Sequence, residues 1–271
     1  SGAGARISHY GLAATISCTG TDCYGRGLSV VSDAELTLID SYIKATGQRF
    51  GNAVYLAGNG RTVIQDCDLV GYCPGGGSVS ADSDASAIYA NVGSARIIGS
   101  RLSATTAIAE LTNNAHAYAA RCYGNGSLIL ENCDITGMAS GGRDTKSAYG
   151  AGINISGAGA SGLVQAKSCR ILGYTDDSGY GVGYAVYEPT GTNNGLVVQL
   201  IGCTFPVIAI ANKVQTGAIL LGNTAFADCR YHIAGNFFAG ANESPNISLP
   251  GDNSPAADYY MANNMFGLAL Q

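Results

Sequence analysis

The sequence predicts an all-β solenoid in which about seven to eight coils of short strands stack on one another. Three observations predict it: a recurring segment, alternating apolar residues on either side of its centre, and a column of turn-tolerant residues within it. The segment first reads "ELTLIDSYIKA" around Ser41. It returns as "TVIQDCDLVG", "ARIIGSRLSA", "SLILENCDITG", "LVQAKSCRILG", "VVQLIGCTFPV" and "TAFADCRYHIAG". The anchors Ser41, Cys67, Ser100, Cys133, Cys169, Cys203 and Cys229 lie 26, 33, 33, 36, 34 and 26 residues apart. A period in this range marks a repeat architecture.

Strands flank each anchor. In "SLILENCDITG" the inward set is Leu128 and Leu130, then Cys133 and Ile135, so the period-two alternation slips by one residue at Glu131–Asn132. The chain must bend there. The residues just before the anchors are Asp40, Asp66, Gly99, Asn132, Ser168, Gly202 and Asp228. Gly, Asn and Asp tolerate positive φ best, and all but Ser168 belong to that set. Strand, corner, strand at a steady interval describes a coil; a chain of hairpins would need a reversal signal between every pair of strands. A third strand per coil is read upstream, in "NAVYLAG", "SAIYANVG", "HAYAARCYG", "GAGINISG" and "GYAVYEPTG".

These segments resemble the coils of the right-handed parallel β-helix of the pectate-lyase-like superfamily, over residues 28–238. Residues 1–27 then form an N-terminal segment or first coil. Residues 239–271 form a loop and a cap, or a strand donated to a neighbour. The resemblance implies fold more than function, because the architecture hosts lyases, hydrolases, adhesins and tailspikes.

Composition narrows the function. Charged residues are 12% of the 271, net charge is −5 and no basic tract stands out, which argues against a nucleic-acid partner. No apolar run is long enough to span a bilayer, and no transmembrane segment is expected. The opening "SGAGARISHY" does not read as a signal peptide, as expected of a mature or trimmed chain. Low charge with 39 Gly and 16 Tyr suits an extracellular or cell-surface protein that self-associates or binds surface polysaccharide.

The anchor column, Ser41 to Cys229, reads as an interior stack of small, weakly polar side chains. A metal site would want clustered thiolates, so no metal and no cofactor is expected from it. Cys18 and Cys23, outside the repeat, form the candidate disulfide. Outward of the anchors, Tyr42, Asp68, Arg101, Asp134, Arg170, Thr204 and Arg230 form a column in which opposite charges follow one another from Asp68 to Arg170.

Three functional readings follow. The leading one is a non-catalytic structural or adhesive protein that self-assembles into a filament or surface structure. Carbohydrate binding would use Tyr55, Tyr89, Tyr149 and Tyr187 in one strand row, with Tyr72 and Tyr174 at a loop root. The catalytic alternative is a polysaccharide lyase or glycoside hydrolase built from Arg143, Asp144, Lys146, Asp176 and Asp177; the resemblance implies calcium if it is a lyase. Of the hydrolase signature only Asp176-Asp177 occurs. Sequons stand at Asn125, Asn154, Asn242 and Asn246, which would matter in a eukaryotic secretory setting.

Overall fold

A computed structural model describes residues 5–19, 23–74, 82–107, 114–140, 147–156, 162–176, 181–188, 195–207, 213, 215–221, 229–239, 247–248 and 257–267. The chain is a right-handed parallel β-solenoid. Its strands fall into three sheets of nine, nine and eight, and every pairing between rungs is parallel. The first rung contributes Arg6–Tyr10, Ala13–Ser17 and Tyr24–Val30 to the first, second and third sheets. Its interior is one continuous column of Leu, Ile, Val, Ala and Cys side chains that includes Leu38, Ile64, Ile97, Leu130 and Leu200.

A tight corner joins the first sheet to the second in every rung. Its leading residue has positive φ at Gly11, Asp40, Asp66, Gly99, Asn132, Ser168, Gly202, Gly235 and Asn263, between 48° and 64°. The left-handed conformation costs a non-glycine residue about 1–2 kcal/mol. Hydrogen bonds to the next rung offset that cost, as in Asp40 N–H to the Gln65 carbonyl at 3.0 Å and Asp66 N–H to that of Ile98 at 3.0 Å.

The anchor side chains close the same corner. Ser41 and Ser100 Oγ donate to the carbonyls of Ile39 and Ile98 at 2.8 and 2.9 Å. Cys67, Cys133 and Cys169 Sγ do likewise to Gln65, Glu131 and Lys167 at 3.0, 3.3 and 3.3 Å. Each anchor can also accept from the rung before. Leu12 N–H meets Ser41 Oγ at 3.1 Å, Cys67 N–H meets Ser100 Oγ at 3.0 Å, and Cys133 N–H meets Cys169 Sγ at 3.5 Å. The column therefore needs a small side chain that both donates and accepts, and size is only half the reason for Ser and Cys.

The seventh anchor is corrected. Cys229 is buried, but it opens the strand Cys229–Ala234 in the first sheet, and the corner falls later, at Gly235–Asn236. Asn236 takes the anchor's place: its Oδ1 accepts from Cys203 N–H at 2.8 Å, and Asn264 repeats the contact to Asn236 N–H at 3.1 Å. The residue two beyond the anchor is then Phe238, not Tyr231, and it stacks between Phe205 and Phe266 at 4.7 and 5.0 Å. Arg230 leaves the outward charge column for the same reason; Phe237 stands there, paired with Thr204. Between Tyr42 and Thr204 that column holds two ion pairs, Arg101 on Asp68 and Arg170 on Asp134.

Within the segment expected to form a cap or a donated strand, the described residues pair with the preceding rung. Ala257–Ala262 and Met265–Gly267 add a ninth rung to the first and second sheets. Where the second and third sheets meet, the coil is thin, and a Cβ on Gly137 or Gly173 would lie 1.9 or 1.8 Å from a carbonyl oxygen across the interior. Cys18 and Cys23 are joined in a disulfide, and the other seven cysteines are buried and outside any disulfide.

Candidate functional site on the third sheet

The outer face of the third sheet carries three rows of side chains. Row one runs Tyr24, Phe50, Asp84, His116, Tyr149, Val182. Row two runs Arg26, Asn52, Ser86, Tyr118, Ala151, Tyr184. Row three runs Ser29, Tyr55, Tyr89, Arg121, Asn154, Tyr187. Between rows two and three each rung places two consecutive residues inward, such as Ala53–Val54, Ala87–Ile88 and Ala119–Ala120. That phase slip bends the sheet and brings the two rows together. Tyr184 stacks on Tyr187 at 5.6 Å, and the Arg26 guanidinium lies 3.9 Å from the centre of the Tyr55 ring.

At the centre sits a charged cluster walled by rings. Asp84 Oδ1 lies 2.8 Å from His116 Nδ1, and its Oδ2 lies 3.6 Å from Arg121 Nη1. Arg121 is within 4.8, 5.3 and 5.9 Å of the Tyr89, Tyr118 and Tyr123 ring centres. His116 stacks on Tyr118 at 5.6 Å and tilts against Tyr149 at 5.1 Å. Burial by itself would raise the Asp84 pKa, but the His116 hydrogen bond and the Arg121 charge outweigh it and hold the carboxyl below its usual range. Burial pushes the Tyr118 hydroxyl well above the ordinary phenol value.

Among the described residues, four polar atoms around this cluster are buried without a hydrogen-bond partner: Arg49 Nε, Asn52 Oδ1, Ser86 Oγ and Arg121 Nε. An unsatisfied buried group costs about 1–3 kcal/mol. Asn52 and Ser86 are neighbours in row two, next to Tyr118. Arg49 lies over Phe50 and Tyr24 at 5.2 and 5.8 Å. With Arg26, Arg49 and Arg121 against Asp84, the face is net basic on a chain whose net charge is −5.

Comparison with known proteins gives no match to a family model, a curated protein or a solved structure. The site is therefore read from its own chemistry.

The sequence-derived candidates fall in several places. Tyr55, Tyr89 and Tyr187 share row three, but Tyr149 belongs to row one, beside His116. Tyr72 and Tyr174 stand on the second sheet in one column, joined through Thr105 and Met138. Asp176 pairs with Lys213 Nζ at 3.8 Å, and Lys213 also lies 5.7 Å from the Tyr174 ring centre. Arg143, Asp144, Lys146 and Asp177 lie outside the described residues. Asn154 is 1% exposed and donates through Nδ2 to the Tyr187 carbonyl at 3.2 Å, so its sequon is not an acceptor in the folded chain. Asn242 and Asn246 are not among the described residues.

Sequence reasoning missed Asp84, His116 and Arg121 as a group. Asp84 lies 32 residues before His116, on the preceding rung, and only the rung register makes it a neighbour of His116 and Arg121. Among the described residues no group of three or more His, Cys, Asp or Glu could hold a metal ion, and no helix is long and apolar enough to cross a membrane.

Proposed function

We propose that this protein is a non-catalytic, extracellular solenoid with an adhesive and structural role, and that the third-sheet face holds an acidic carbohydrate. The carrying observation is the strip on which Arg26, Arg49, Arg121, Asp84 and His116 alternate with tyrosines and with buried, unpartnered polar atoms. Aromatic faces stack on the C–H faces of sugars, planar guanidinium groups grip carboxylates in a fork, and amide and hydroxyl groups match sugar hydroxyls. The net basic charge favours a uronate or otherwise anionic glycan over a neutral one.

The chemistry of the face supports binding over bond cleavage. Glycoside hydrolysis wants two carboxyl groups, one of them kept protonated by a raised pKa. Among the described residues the face carries one carboxylate, Asp84, and its pKa moves down. The Cys18–Cys23 disulfide supports an oxidising, extracellular compartment. The coil pattern supports kinship with the pectate-lyase-like superfamily at the level of architecture.

Titration calorimetry against acidic and neutral oligosaccharides tests this reading. Binding of an acidic oligosaccharide, lost in the Tyr55→Ala/Tyr89→Ala double variant while its circular dichroism stays native, is the expected result. Absence of binding across the panel would sink the adhesive reading. Appearance of shortened products would transfer the site to the enzyme class.

A further inference from the structure

On three consecutive rungs in the middle of the stack the corner anchor is a thiol: Cys133, Cys169 and Cys203. No other described cysteine outside the disulfide has a cysteine above or below it in its column. Cys67 lies between Ser41 and Ser100, Cys73 pairs with Thr106, Cys122 stands between Ala90 and Ile155, and Cys229 pairs with Ala257. On rungs about 4.8 Å apart, stacked Cα atoms fall inside the range that a disulfide spans.

The three thiols are not held equally. The strand after Cys133, Asp134–Ser140, pairs with Arg170–Thr175 from Asp134↔Arg170 to Ala139↔Thr175. The strand after Cys203 is only Thr204–Phe205; it pairs with Arg170–Thr175 at Arg170↔Thr204 alone and runs into Pro206. The corner before Cys203 is Gly202, at φ 62°, where an added Cβ would meet nothing nearer than 3.9 Å. Cys203 therefore has slack that Cys133 lacks. Its Sγ already leans back toward the rung of Cys169, 3.4 Å from the Ala166 carbonyl.

The thiols differ in acidity as well. The hydrogen-bonded Cys169 thiol, against the effect of burial and together with backbone bonds, holds Cys203 below the ordinary thiol range. Cys169 is lowered by its contact with Cys133, but its contact with Cys203 and its burial push it up to about 12. Contact with Cys169 and burial raise Cys133. Cys203 is the sulfur that reaches the thiolate first, and the thiolate is the form that attacks.

We propose that Cys169 and Cys203 are a peroxide-reactive pair that closes into a disulfide between neighbouring rungs. The inference is independent of the third-sheet reading, and both residues have described rungs on either side. Cys203 gives up its proton, and its thiolate attacks one oxygen of hydrogen peroxide. The O–O bond breaks, the departing hydroxide takes that proton as water, and Cys203 becomes a sulfenic acid. The Cys169 sulfur then attacks the Cys203 sulfur; the S–O bond breaks, and hydroxide leaves with the Cys169 proton as a second water. Two thiols are oxidised to one disulfide and one peroxide is reduced to two waters. A small oxidant suits the site, since the corner groove lined by Asp40, Ser41, Asp66, Cys67 and Asp68 brings the anchor column close to the surface. The bridge joins residues 34 apart in sequence and restricts the unfolded chain accordingly.

Treating the folded chain with hydrogen peroxide, then unfolding it in an alkylating agent and mapping its peptides, tests the proposal. The expected product has two fewer alkylated thiols, a Cys169–Cys203 link that a reductant opens, and a melting temperature about 5 °C higher. Serine already occupies this column at Ser41 and Ser100, so serine variants should keep the native circular dichroism. Cys169→Ser should leave Cys203 as a sulfenic acid that a cyclic dione captures. Cys203→Ser should slow the loss of thiols at least about tenfold, whereas Cys133→Ser should leave the link in place. Thiols that stay reduced in the folded chain, a link between Cys133 and Cys169 instead, or equal rates in the parent and Cys203→Ser would each overturn it.

Discussion

Replacing Asp84 with Asn removes one charge from the third-sheet cluster while keeping its shape. Asp84 and Arg121 expose only 11% and 15% of their side chains, and they meet at 3.6 Å within a wall of tyrosines. Breaking a buried pair costs about 3–5 kcal/mol when one charge is left uncompensated. The separation here is long for an ion pair, so the lower end, about 3 kcal/mol, applies. For a chain of this size that corresponds to a fall of about 6–12 °C in melting temperature. The pH dependence follows from the direction of the shift. Asp84 has a folded pKa below its unfolded value of 3.8, so its contribution is present above 3.8 and is lost as pH falls through the lower folded value. Melting curves of the parent and Asp84→Asn at matched scan rates should differ fully at neutral pH and converge in strong acid. Equal melting temperatures at neutral pH would refute the reasoning, and so would a gap that survives unchanged well below 3.8.

Two further substitutions probe the solenoid. If the anchor column serves as a corner cap, Cys133→Ser should cost under about 1 kcal/mol in urea unfolding, and Cys133→Ala about 1–2, because alanine loses the thiol's bond to the Glu131 carbonyl, which keeps only the Gly99 N–H, and its packing as well; the reverse order would mean that packing alone fills the column. Phe238 is 1% exposed at the centre of three stacked rings, so Phe238→Ala should cost about 3–5 kcal/mol, and a cost below about 1 would show that the last rungs are not part of the cooperative core.

The corners were legible because they depend on local chemistry. Asp40, Asp66 and Asn132 announce positive φ by residue type, and the alternation on either side locates the two strands they join. Ser168 takes the same φ without belonging to the favoured set, and it was located only by its place in the period. Cys229 misled because the anchor was recognised by side-chain type. The true corner, Gly235–Asn236, has the better local signal, a glycine followed by a residue that donates and accepts. The mismatch already had a symptom in the sequence, since Tyr231 broke a column of aliphatic residues and Phe205 that Phe238 continues.

The third-sheet site was illegible for a physical reason that also explains why the fold was easy. A solenoid constrains its interior columns and corners in every rung, so those positions repeat and can be aligned. Its outer rows carry no such constraint, and stretches of sequence of unequal length separate them. Tyr149 matches Tyr55 and Tyr89 by residue type yet stands two rows away, because the Gly152–Ile153 phase slip separates it from Asn154, which holds their row. His116 looked isolated because its partner Asp84 lies 32 residues earlier in the chain, and only the register between their strands brings the two together. Stacking makes neighbours of residues a whole rung apart, and the outer rows, free to differ from rung to rung, are where a ligand can be distinguished.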